Sequence, residues 1–112
     1  ERFRRGRTHA GGVKTTVRRP TIAEMRQFDP SEAVRSAEIV PLLGRYFDVL
    51  EVKGYGGTVL HTLLDDIAGN FDDDVPGGPG LLDALCDLEE ALIAGGDLGH
   101  DFAFVVARKP CR

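Results

Sequence analysis

Tryptophan is absent from the chain, serine occurs only at Ser31 and Ser36, and cysteine only at Cys86 and Cys111. Each scarcity removes a class of chemistry. Neither serine lies in G-x-S-x-G, so no serine-hydrolase elbow can be placed. The two cysteines stand 25 residues apart, one within a leucine-rich stretch and one in the terminal tail. They form neither a CxxC metal pair nor a disulfide framework, and reduced thiols in a cytoplasmic protein are expected. No run of about 18 apolar residues exists, so no membrane-spanning helix is expected. Without tryptophan, aliphatic side chains must supply most of the core, and the 42% of hydrophobic residues in 112 suffice for one modest domain. The chain opens on Glu1, with neither Met nor a signal-peptide pattern, and is expected to be a piece of something longer.

Charge is unevenly spread. Residues 1–20 hold seven Lys/Arg and one acid, whereas 21–112 hold seven Lys/Arg and 17 acids. A basic arm on an acidic body can bind nucleic acid, but the arm has Phe3 as its single aromatic and no recognition motif follows. A solvated linker, poorly ordered in isolation and able to fold back onto the acidic body, is the expectation for 1–20. Residues 21–112 then form the folded part.

The chain turns on residues 47–71, FDVLEVKGYGGTVLHTLLDDIAGNF. The composition of 47–53 suits a half-buried strand. Gly54, Gly56 and Gly57 mark a sharp turn. With Thr58 as cap, Val59, Leu60, Leu63, Leu64, Ile67 and Phe71 then form one apolar helical stripe that Gly69-Asn70 closes. Strand, glycine turn and helix together invite a phosphate loop. The third glycine of G-x-G-x-x-G and the Lys-Ser/Thr of a P-loop are both missing, and a plain tight turn is favoured.

Elsewhere, Thr21 and Glu24 predict a capped short helix whose Ile22, Met25 and Phe28 share a face. Asp29-Pro30-Ser31-Glu32 predicts a second start, with Val34, Ile39, Leu42 and Leu43 inward and a bend or division near 39–40 caused by Pro41. Asp72-Asp73-Asp74 with the Pro/Gly run to Gly80 lacks EF-hand spacing and reads as a solvated loop. Leu81, Leu82, Leu85, Leu88, Leu92 and Ile93 predict an amphipathic helix ended by Gly95-Gly96, with Cys86 as a small buried hydrophobe. FAFVVA at 102–107 is apolar on both alternating faces, as in a strand internal to a sheet with helices on each side. Two strands alone are marginal, so this strand asks for neighbours. His61 and Asp65, four apart on one helix face, could orient an imidazole, but a third metal ligand is lacking and an exposed ion pair is favoured.

Taken in order, DPSEAVRSAEIVPLL (29–43), FDVLEVKGYGGTVLHTLLDDIAGNF (47–71), LLDALCDLEEALIAGG (81–96) and DFAFVVARKP (101–110) resemble the C-terminal part of bacterial class I, Rossmann-like S-adenosylmethionine-dependent methyltransferases. The resemblance implies an α/β chain carrying an incomplete Rossmann-like fold. Its two late, antiparallel strands would fall at about 47–53 and 102–107, with about four helices, and the last strand would be inserted beside the fifth. It makes 57–95 a long helical insert of the kind that shapes an acceptor pocket. It also implies S-adenosylmethionine as cofactor, yet the family's E/D-x-G-x-G-x-G donor loop is absent from this chain. Neither Gly11-Gly12 nor Gly54-Tyr55-Gly56-Gly57 matches it. The expectation is an acceptor-side portion, inactive alone, whose partner is the missing N-terminal half. Arg35, Tyr55 and His61 are the candidate substrate-binding residues: a cation, a phenol and an imidazole near helix starts and the glycine turn. The rival expectation is a non-catalytic interaction module, a homodimer formed across the exposed strand edge.

Overall fold

The computed structural model describes residues 4–31 and 35–111. Among them are four α-helices and one antiparallel pair of strands, in the order α1 (Ile22–Phe28), α2 (Ile39–Tyr46), β1 (Asp48–Gly54), α3 (Leu60–Leu64), α4 (Gly78–Ala94) and β2 (Ala103–Arg108). The architecture is mixed α/β. None of these helices is long and apolar enough to cross a membrane. The chain divides into two compact units, one comprising Glu1–Arg18 with Tyr55–Phe102, the other Arg19–Gly54 with Ala103–Arg112.

The second of these units holds the sheet. β1 and β2 run antiparallel from Asp48 opposite Arg108 to Gly54 opposite Ala103, with an irregularity between Val49 and Glu51. Each strand lies one residue later than its sequence pattern predicts. Asp48 and Arg108 form an exposed ion pair at 3.6 Å, a contact of little energetic consequence. The apolar residues of the ribbon are covered only in part: Val49, Val105 and Val106 are half-buried, while Leu50 and Phe104 are each 58% exposed and Val52 is 50% exposed.

Helix α1 starts as its sequence dictates. The Glu24 amide donates to the Thr21 hydroxyl at 3.2 Å, and the Thr21 amide donates to the Glu24 carboxylate at 2.8 Å, a reciprocal capping box. Its apolar face is nevertheless open, with Phe28 91% exposed. The start signal at Asp29 works differently from expectation. Asp29 closes α1 and accepts from the Ser31 amide (2.9 Å) and hydroxyl (2.6 Å), a local turn rather than a helix cap. Glu32 and Val34 lie outside the described residues. Pro41 divides the segment as its lack of an amide hydrogen requires. A 3-10 turn at Ser36–Glu38 gives way to α2, and Pro41 sits in the first helical turn, where no donor is needed. Leu42 and Leu43 are half-buried, while Ile39 is exposed.

In the other unit, the single long helix expected after the glycine turn is broken. α3 ends at Leu64, Asp66 takes a left-handed φ of 64°, and a 3-10 turn follows at Ala68–Phe71. Two adjacent aspartates at a helix C-terminus face the negative end of its dipole, which disfavours continuation. The break turns Ile67 and Phe71 into the small core, where both are buried. α4 starts three residues before Leu81, because Pro79 fits a first turn. Cys86 is half-buried and Cys111 exposed, and both are free thiols.

Residues 4–14 of the basic arm are tied down by hydrogen bonds. A 3-10 turn at Arg4–Gly6 leads to a bridge between Arg7 and Val13. Arg5 donates to the carbonyls of Asn70 and Pro76, and Asn70 donates in return to the carbonyls of Arg5 (3.2 Å) and Arg7 (2.8 Å). Lys14 donates to the carbonyls of Thr62 and Asp65 at the end of α3, where a cation complements the helix dipole. Arg5 and Lys14 bond to backbone carbonyls, and the His9 amide donates to the Asp66 carboxylate at 3.3 Å.

Candidate functional site

The glycine turn after β1 is tied to distant segments by side-chain and backbone hydrogen bonds. Gly56 and Gly57 have φ of 81° and 88°, values that a residue with a Cβ adopts only under strain. Space is as restrictive as the dihedrals. A Cβ on Gly56 would lie 2.1 Å from a Glu89 carboxylate oxygen, and one on Gly57 would lie 2.3 Å from the Phe102 ring.

Glu89 explains the close approach. It projects from α4, is only 4% exposed, and accepts from the amides of Gly57 (2.8 Å), Val59 (2.8 Å) and Leu60 (2.9 Å). Burial pushes its pKa up, but the three amides outweigh burial and hold the carboxyl below the ordinary glutamate value. A glycine turn opening a helix therefore does make an anion cradle here, and the anion is the chain's own carboxylate. Those three amides have no capacity left for a phosphate or for a cofactor's acidic groups, and the tight-turn reading of 54–58 is the one the geometry supports. Thr58, expected to cap the helix, does not; its hydroxyl is buried and has no partner among the described residues. Glu89 takes its place.

A second set of bonds ties the turn to 100–102. The Gly56 amide donates to Nδ1 of His100 at 2.8 Å, which leaves the proton of a neutral imidazole on Nε2. The Gly56 carbonyl accepts from the amides of Asp101 (2.8 Å) and Phe102 (3.1 Å), and the Tyr55 amide donates to the Phe102 carbonyl at 3.0 Å. On this frame stands an aromatic group. Tyr55 and Phe102 stack with centroids 5.6 Å apart and planes at 24°, and His61 meets Phe102 edge-on at 5.2 Å. Tyr55 is 61% exposed, so its ring is presented outward rather than used as core.

Two of the three sequence-predicted residues, Tyr55 and His61, thus share one platform through Phe102. Arg35 belongs to the other compact unit, in a left-handed conformation (φ 52°) and paired with Glu38 three residues on. The anticipated His61–Asp65 pair does not form, because α3 stops before Asp65. Among the described residues, no group of three His, Cys, Asp or Glu side chains is placed to hold a metal ion. Glu89, His100 and Phe102 escaped the sequence pattern. The legible clue was Glu89 itself, a carboxylate four residues after Leu85 and three before Leu92, on the face that a helix buries only if such a group is bonded.

Comparison of the chain with protein-family models, with curated proteins and with solved structures finds no match.

Proposed function

We propose that this chain is the C-terminal, acceptor-side portion of a class I S-adenosylmethionine-dependent methyltransferase, and that it does not transfer methyl groups by itself. The observation carrying this reading is the β1–β2 ribbon. Its strands are antiparallel, as the late strands of that fold would be, and the β2 segment is apolar on both faces up to Ala107. Yet Leu50, Val52 and Phe104 remain half or more exposed. A partly covered ribbon of this composition is marginal in water and gains stability by joining a wider Rossmann-like sheet. The platform of Tyr55, His61 and Phe102 on its clamped turn is the acceptor wall in this reading. A preorganised apolar surface with one imidazole orients an acceptor and excludes water, which is what methyl transfer asks of the acceptor side. The donor chemistry belongs to a half whose glycine-rich loop these residues lack.

The reading frame encoding the chain provides the test. An E/D-x-G-x-G-x-G loop within about 150–250 residues upstream of Glu1, in a product that transfers methyl from S-adenosylmethionine, is the expected outcome. An upstream stop codon, together with a discrete dimer of the chain by light scattering, would overturn it in favour of a non-catalytic interaction module.

A further inference from the structure

Between the folded-back arm and the helices of the same unit lies an apolar cavity, open to solvent, of about 410 Å³, within the size range of small-molecule sites. Leu63, Ile67, Phe71 and Leu85 form its apolar wall, and Arg5 and Lys14 line its arm side. Both cations are half-buried. Lys14 is held by the carbonyls of Thr62 (2.8 Å) and Asp65 (2.7 Å). Arg5 is held by those of Asn70 and Pro76, with its guanidinium 5.8 Å from the centre of the Phe71 ring.

All these acceptors are neutral. Neither cation has a carboxylate within ion-pair distance among the described residues. An ammonium has three donors and a guanidinium five, so each retains hydrogen-bonding capacity after its two carbonyls. Two positive groups without a negative partner among the described residues, beside a greasy wall, favour a ligand that brings both an anion and an apolar tail. We propose that this cavity binds a small amphiphilic carboxylate, its tail against Leu63, Ile67, Phe71 and Leu85 and its head on Lys14 with Arg5 beside it. This site uses neither the glycine turn nor the sheet, and it stands or falls independently of the methyltransferase reading.

Calorimetric titration of the full chain with octanoate, below its micellar concentration, is the test. Single-site saturable binding is expected. It should weaken by about tenfold or more with octanol, which keeps the tail and lacks the charge, and by a similar factor in Lys14→Gln. Lys14→Arg should bind within a few-fold of the unaltered chain, and acetate should not saturate. Should Lys14→Gln fail to fold, octanoate-induced NMR shifts in the unaltered chain decide the matter, and they are expected at Leu63, Ile67, Phe71 and Leu85. Equal affinity for octanol, undiminished binding in a folded Lys14→Gln, shifts confined to other residues, or no saturation would each overturn the proposal.

Discussion

Replacing Glu89 by Gln tests the cradle at its centre. The substitution keeps the side chain's shape and one acceptor oxygen, but it removes the charge and puts an NH₂ group where one carboxylate oxygen stood. With the amide oxygen on Gly57, the NH₂ group would face the Val59 and Leu60 amides, both of which now donate to a single carboxylate oxygen. Hydrogen bonds to charged groups contribute about 1.5–3 kcal/mol each, and a buried donor left unpaired costs about 1–3 kcal/mol. The Gly57 bond is buried, whereas those of Val59 and Leu60 are part-buried and open to replacement by water. A total loss of about 2–4 kcal/mol follows. Urea unfolding followed by far-ultraviolet circular dichroism measures it, and amide hydrogen exchange localises it to Gly57, Val59 and Leu60.

The pH dependence has a defined sign. The folded-state pKa of Glu89 is lowered, so its contribution is full above the unfolded value of about 4.3. It disappears as pH falls through the lower folded value. Glu89→Gln should therefore flatten this part of the acid limb of stability. An unchanged urea midpoint, with Gly57 still fully protected, would refute the claim that the carboxylate holds the turn.

Gly57→Ala should cost more than about 1 kcal/mol from its left-handed φ alone, and should also displace the Phe102 ring, seen as loss of the Tyr55–Phe102 nuclear Overhauser contacts. Thr21→Ala should destabilise α1 by about 1 kcal/mol, read as faster exchange at the Glu24 amide with little change at α4. The Asp29 carboxyl is held below the usual aspartate range by the Ser31 hydroxyl first and its amide second; Ser31→Ala should move the Asp29 NMR titration midpoint upward.

Several local signals were legible because their cause is local. The Thr21–Glu24 capping box, the division at Pro41, the stop at Gly95 and the two strands follow from chemistry within a few residues of each event. The α3 stripe misled because its spacing continues through Asp65 and Asp66 although the backbone does not. Apolar periodicity reports which side chains seek burial, not whether one unbroken helix delivers them. Asp29 misled for a related reason: a side-chain oxygen beside a free amide can close a turn as readily as cap a helix.

What the amino-acid order determined by itself was a mixed α/β chain with a tight glycine turn, one half-polar and one apolar strand, and a polarised charge distribution. Tertiary structure decided that the turn's amides belong to Glu89, some 30 residues away. It also decided that Tyr55, His61 and Phe102 share a platform and that the basic arm lines one side of an open apolar cavity. The physical reason is range. Capping, turn and periodicity preferences act over a turn or two of chain, whereas a buried carboxylate finds its donors only when distant segments are brought together.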